Sequence, residues 1–154
     1  TAAEAGAVEF LTDAYYVTTT TGATRRMIVA GTTGRATGQV AANASVATYT
    51  LGATDASYEI SANVLVTTAT THAFTVECSY TDEGNTPRVV TLNFTNLAGV
   101  LTTSIANAAG AVPYEGIPLH IRVKASTAIT IYTQAAGVYT SVVYNVEGVI
   151  KQIA

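Results

Sequence analysis

Over much of this chain, large apolar and small polar side chains alternate with a period of two. Tyr58-Glu-Ile-Ser-Ala-Asn-Val-Leu-Val, Phe74-Thr-Val-Glu-Cys-Ser-Tyr, Arg88-Val-Val-Thr-Leu-Asn-Phe and Ile117-Pro-Leu-His-Ile-Arg-Val-Lys all follow it. Successive side chains of a strand point to opposite faces, so this period means strands with one packed face and one wet face. Strands are predicted near 46–51, 57–67, 73–81, 88–95, 117–125, 127–133 and 138–147. Asp82-Glu-Gly-Asn-Thr-Pro87 has turn chemistry throughout and predicts a hairpin loop. Residues 96–116 read as a longer excursion. The tail from Gly148 is expected to continue the last strand after a kink at that glycine. Many short strands with near-regular turns predict an all-β fold: an antiparallel β-sandwich, jelly-roll-like, with an extended N-terminal segment.

Residues 1–50 read differently and are assigned to an N-terminal arm or hairpin segment, with the β-sandwich domain at 51–154. Ala7-Val-Glu-Phe-Leu suits a short strand or a helical turn, and Tyr15-Tyr-Val-Thr and Arg26-Met-Ile-Val suit the two sides of a hairpin. Gly31-Thr-Thr-Gly-Arg-Ala-Thr-Gly38 is glycine-rich but lacks the Gly-Lys-Ser/Thr ending of a phosphate loop, so a plain loop is expected.

Charged residues make up 11% of the 154 residues, against about 25% in an average globular chain. The surface must therefore be covered largely by Thr, Ser, Asn and Ala. Net charge is -3, and Arg25-Arg26 is the one adjacent basic pair, with Arg35 nearby; a nucleic-acid binder concentrates its basic residues, and none is expected as a partner. No apolar run has the length of a membrane-spanning helix, so no membrane partner is expected, and the N-terminal residues do not read as a signal peptide.

Chemistry needs a nucleophile, an acid or base, and groups that orient them. Cys78 lies in phase with Phe74, Val76 and Tyr80 and reads as a small core residue. His72 falls in a predicted turn, and His120 on the polar phase of a strand. No metal-ligand spacing links them, and no cofactor is expected. Glu59 and Glu77 fall on the polar phases of strands read as neighbours and are expected to face solvent together. Asp82, Glu83 and Asn85 lack the ligand run of a calcium loop. Tyr58, Tyr80 and Tyr144 read as core, whereas Tyr132 and Tyr139 are candidates for stacking on a sugar. The chain is expected not to be an enzyme.

Val64-Leu65-Val66, Val89-Val90 and Val142-Val143 put apolar residues on both phases. A sheet apolar on both faces needs a second cover, which predicts a homo-oligomer, with a trimer as the first expectation. Candidate interface residues are Phe10, Leu11, Tyr15, Tyr16, Met27, Ile28, Tyr139 and Val143.

The blocks beginning at Tyr58, Phe74, Pro118 (Pro-Leu-His-Ile-Arg-Val-Lys-Ala-Ser-Thr-Ala-Ile-Thr) and Val138 (Val-Tyr-Thr-Ser-Val-Val-Tyr-Asn) together resemble the β-sandwich domains of tailed-bacteriophage structural proteins, such as capsid decoration and head or tail fibre proteins. That resemblance spans roughly residues 57–147 and transfers no functional residue. It implies a non-enzymatic virion protein that binds and stabilises the particle surface, with the major capsid or another virion protein as partner. The alternatives are an extracellular carbohydrate-binding or adhesion module and a filament-forming surface subunit.

Overall fold

The computed structural model describes residues 8–11, 14–20, 24–27, 31–68, 73–106, 111–135 and 142–153. The chain divides into two compact units, Thr1–Gly31 and Thr32–Ala154. The first holds β1 (Val8–Leu11), β2 (Ala14–Thr20) and β3 (Thr24–Met27) in one antiparallel three-stranded sheet. Phe10 stands opposite Tyr15, and Tyr16 lies between Glu9 and Met27 in the register. Of the hairpin read from Tyr15-Tyr-Val-Thr and Arg26-Met-Ile-Val, β2 and β3 are paired, while residues 28–30 lie outside the described residues; Val8–Leu11 forms a strand rather than a helical turn.

The second unit is an antiparallel β-sandwich. Its elements are β4 (Gly31–Gln39), β5 (Ala47–Thr50), β6 (Ala56–Thr68), β7 (Phe74–Thr81), β8 (Pro87–Thr91), β9 (Phe94–Asn96), β10 (Leu101–Thr102), β11 (Val112–Gly116), β12 (Leu119–Val123), β13 (Ala128–Ala135) and β14 (Val143–Gln152). The larger sheet has the order β10-β9-β11-β6-β14-β4, with β12 also on β6; the smaller is β5-β13-β7-β8. β11 and β12 lie end to end along β6, opposite Asn63–Val66 and Ala56–Ile60 respectively. Pro118, which has no N–H for a ladder, sits in the gap between them. Counting β11–β12 as one broken strand and leaving out the β9–β10 hairpin, eight strands remain. The first lies beside the eighth, the second pairs with the seventh, the third with the sixth and the fourth with the fifth. That is a long hairpin rolled into two sheets, the jelly-roll arrangement expected from the strand pattern.

Residues 32–50, grouped with the arm in the sequence reading, lie in this second unit and supply β4 and β5. The glycine-rich stretch read as a loop at 31–38 is the edge strand β4. It carries no large apolar side chain, so it follows its neighbour's ladder rather than its own hydrophobic period. The strand expected at 88–95 is two strands. The Leu92 N–H bonds the Val76 carbonyl in the smaller sheet, while the next carbonyl, of Asn93, accepts from Ile117 beside the larger. The chain changes sheet between those two residues.

Each sheet turns one phase inward. Tyr58, Ile60, Val64 and Val66 of β6 meet Phe74, Val76 and Cys78 of β7 and Ile129 and Ile131 of β13 in one core, closed by Phe94, Tyr144, Val146 and Ile150. Each large apolar side chain so buried contributes about 1.5–3 kcal/mol. The Phe74 and Tyr144 rings are 4.4 Å apart between centroids. Gly148 lies within β14 without a break: the ladder to β6 continues to Gln152, and the register shift falls at Val143/Tyr144 instead. A side chain at 148 would meet Ile131 Cδ1 at 3.0 Å. The glycine makes room for the opposite sheet and does not kink the strand.

Among the described residues the core holds a buried polar device. The Tyr144 hydroxyl is 2.7 Å from Thr133 Oγ1 and donates to the Ala41 carbonyl at 2.7 Å. Thr133 Oγ1 accepts the Asn43 N–H, and the Thr133 N–H returns to the Asn43 carbonyl. Buried polar groups are stable only when partnered. Here the partners belong to the 40–46 connection, so β13 and β14 fasten that connection from inside.

Candidate binding surfaces

Three surface regions concentrate the groups available for recognition. The first is the outer face of the larger sheet. On β6 the outward phase runs Ser57, Glu59, Ser61, Asn63, Leu65 and Thr67. Register places Glu115 of β11 and Glu147 of β14 on either side of Asn63, and Pro113 and Asn145 on either side of Leu65. With Arg35 of β4 these residues line an open groove of about 660 Å³. The Asn145 side-chain oxygen accepts the Gly38 N–H, and that of Asn63 accepts the Gly116 N–H. Both amide groups thus keep their NH2 ends as donors. Further along the face, His120 is 3.3 Å from Glu59 Oε2. His120 is exposed on the polar phase of its strand, as its sequence position predicted; His72 lies outside the described residues.

The second region is the 82–88 turn. Asp82 accepts the Thr86 N–H through Oδ1 and the Arg88 side chain through Oδ2, both at 2.8 Å. These bonds, the Thr86 amide foremost, hold its carboxyl below the usual range. Glu83 pairs with Arg122, and Asn85 Oδ1 accepts from Lys124 Nζ. The oxygens that a loosely bound cation would use are already engaged by the protein's own donors. Among the described residues no cluster of three or more His, Cys, Asp or Glu is arranged to hold a metal.

The third region is the β9–β10 hairpin. Asn96 organises its turn. Its side-chain oxygen accepts the N–H groups of Ala98 and Val100, its carbonyl accepts from Gly99, and its own N–H donates to the Val100 carbonyl. Gly99 has φ 74°, the left-handed region open to glycine. On this satisfied frame Leu97 is 79% exposed, Leu101 62% and Val100 56%. The connection after β10 is tied down by paired backbone bonds between Ile105 and Phe74 and by the Tyr114 hydroxyl donating to the Ala106 carbonyl. No charged residue occurs between Arg88 and Glu115. That gap was the signal available in the sequence for this surface.

The remaining sequence candidates are dispersed. Cys78 is buried and its thiol is pushed up to about 12 by desolvation, which suits a core residue rather than a nucleophile. Glu59 and Glu77 do not face solvent together. Glu59 is on β6 in the larger sheet and Glu77 on β7 in the smaller, so they lie on opposite outer faces. The Tyr132 hydroxyl donates to Glu77 Oε2 at 2.7 Å; burial and this carboxylate push the phenol up to about 12. Tyr58 and Tyr144 are in the core, and Tyr80 packs half-buried against it. Val143 begins β14, half-buried. Leu65 and Val89, read as apolar on the second phase, are exposed at 37% and 62%. Phe10, Leu11, Tyr15, Tyr16 and Met27 belong to β1, β2 and β3. Ile28 and Tyr139 lie outside the described residues. Among the described residues no helix is long and apolar enough to cross a membrane.

No family model matches the chain, and no curated protein matches it. Among solved structures it is similar to the crystal structure of the SPBc2 prophage-derived protein YomS, at 13% identity and a TM-score of 0.36, over 80% of this chain and 95% of that one.

Proposed function

We propose that this chain is a non-enzymatic structural subunit of a bacteriophage particle, of the capsid-decoration or fibre kind, that attaches to the particle surface as a homo-oligomer. The observation that carries the reading is the Asn96-organised hairpin, which holds three large apolar side chains in solvent on an uncharged stretch of chain. A fixed apolar projection loses little conformational entropy on docking. Exposed apolar patches rimmed by polar residues mark interaction sites. The resemblance of the 57–147 strand blocks to phage structural domains supports the setting, and a virion surface is the matching location.

The attachment would use apolar burial by the hairpin, supplemented by the separate N-terminal unit as a docking arm. Residues of β1–β3 such as Phe10, Tyr15, Tyr16 and Met27 would be its anchors. The partner would be a major capsid or other virion protein, and the oligomer a trimer first. Light scattering on the purified chain tests the oligomer: a mass near three subunits is expected, and a clean monomer argues against it. Co-sedimentation with undecorated phage shells tests attachment. Retention that disappears in a Leu97→Ser/Leu101→Ser variant supports the reading; undiminished retention of that variant sinks the hairpin's role.

A further inference from the structure

The groove on the outer face of the larger sheet has a chemistry of its own, which the attachment reading does not use. Glu115 and Glu147 stand on either side of Asn63, two strand spacings apart, which is roughly 10 Å between their backbones. Neither carboxylate has an ion-pair partner within 4.0 Å among the described residues. One residue further along the same face comes the row Pro113, Leu65 and Asn145, so an apolar strip runs directly beside the carboxylate row. Arg35 closes the groove on the β4 side.

We propose that this groove is a carbohydrate-binding site, for a neutral or amino-sugar oligosaccharide. A pyranose ring is amphipathic: its C–H face seeks apolar cover and its rim carries hydroxyls that both donate and accept. The groove offers both halves. Leu65 and Pro113 supply the apolar strip. The two glutamates supply acceptors, and the NH2 groups of Asn63 and Asn145, whose oxygens the backbone already engages, supply donors aligned by those same bonds. Ligand sites place a few oriented polar groups beside apolar lining in this way. Two carboxylates against one guanidinium leave the groove with an excess negative charge, which disfavours uronic and sialic acids. An extended peptide would be better served at a sheet edge, where it could add a strand; this groove crosses the middle of the sheet, where the backbone is already paired.

The test is calorimetric titration of the intact chain with cellohexaose, chitohexaose, glucosamine hexaose and oligogalacturonate. The expected result is saturable binding of at least one of the first three, with Kd on the order of 1 mM or tighter, and no binding of the galacturonate. Glu115→Ala and Glu147→Ala, both on the outward phase, should each weaken it about tenfold, a loss of about 1.4 kcal/mol. Circular dichroism and an unchanged melting temperature show that the variants are folded. Leu97→Ser should leave sugar binding unchanged while impairing particle attachment, so failure of either proposal is separable from failure of the other. The proposal is overturned if none of the first three oligosaccharides binds, if binding is indifferent to both glutamate substitutions, if galacturonate binds as tightly, or if only an oligolysine peptide occupies the groove.

Discussion

The Thr133–Tyr144 device and the β9–β10 hairpin are built from similar materials, uncharged residues and backbone amides, yet they put them to opposite uses. Around Tyr144 the polar groups turn inward to meet the 40–46 connection, and the apolar ring lies against Phe74. In the hairpin the polar groups also satisfy one another, through Asn96, but Leu97, Val100 and Leu101 remain in solvent. Satisfied backbone is thus common to both, and the fate of the apolar surface distinguishes them. One region stabilises the fold; the other holds exposed apolar surface in a fixed shape. A chain with 11% charged residues needs both arrangements if it is to fold alone and still associate.

The comparison is broken most directly from the core side. Phe74→Ala removes a fully buried ring that packs on Tyr144, and the loss is expected to be about 3–5 kcal/mol, read as a shift of the urea midpoint. A smaller effect follows from Tyr144→Phe. It deletes the hydroxyl that reaches Thr133 and the Ala41 carbonyl, leaving that carbonyl without this donor. A loss of about 1–3 kcal/mol is expected, together with faster amide exchange in residues 40–46. If exchange there is unchanged while stability falls, the hydroxyl does not fasten the connection.

Both regions differ in how far they can be read from sequence. The β6, β7, β12 and β13 strands announce themselves by a period of two, because one face of each is packed. β4 does not, since Gly31 to Gln39 contains no large apolar residue and its place at the sheet edge comes from pairing. β11 is disguised by Pro113 and Gly116; the glycine is needed because a Cβ there would collide with the Ala62 backbone. The change of sheet at Leu92–Asn93 is invisible to alternation: Leu92 and Phe94 are both buried, so the period runs unbroken while the strand does not. The groove is harder still. Asn63, Glu115 and Glu147 each read as ordinary outward residues on separate strands, and only the register brings them into one row. The hairpin lay within the 96–116 excursion, and the absence of charge from 89 to 114 was its legible trace.

On the hairpin side the expected pattern reverses. Leu97→Ser/Leu101→Ser removes two exposed side chains and should change stability by no more than about 0.5 kcal/mol, while association with undecorated phage shells is lost. A large drop in melting temperature would mean that these leucines support the fold and would erase the distinction between the two regions. Asn96→Ala sharpens it. The core stays intact, but the Ala98 and Val100 amides lose their acceptor. Attachment should weaken although every apolar side chain of the hairpin remains, because the projection is no longer held in one shape.

The smallest effect is expected at the Asp82 turn, which is charged where the other two regions are not. Its carboxyl is held below the usual range by the Thr86 amide first and by Arg88 second. A depressed carboxyl stabilises the fold above its unfolded value, near 3.8, and that contribution is lost as pH falls through the lower folded value. Melting temperatures of the parent chain and of Asp82→Asn should therefore differ at neutral pH and converge under strongly acidic conditions. Because the group is exposed, solvent and salt screen the interaction, and the separation should narrow as salt is added. A difference between the two proteins that persists unchanged at strongly acidic pH would assign the effect to the turn's hydrogen-bond geometry instead of to its charge.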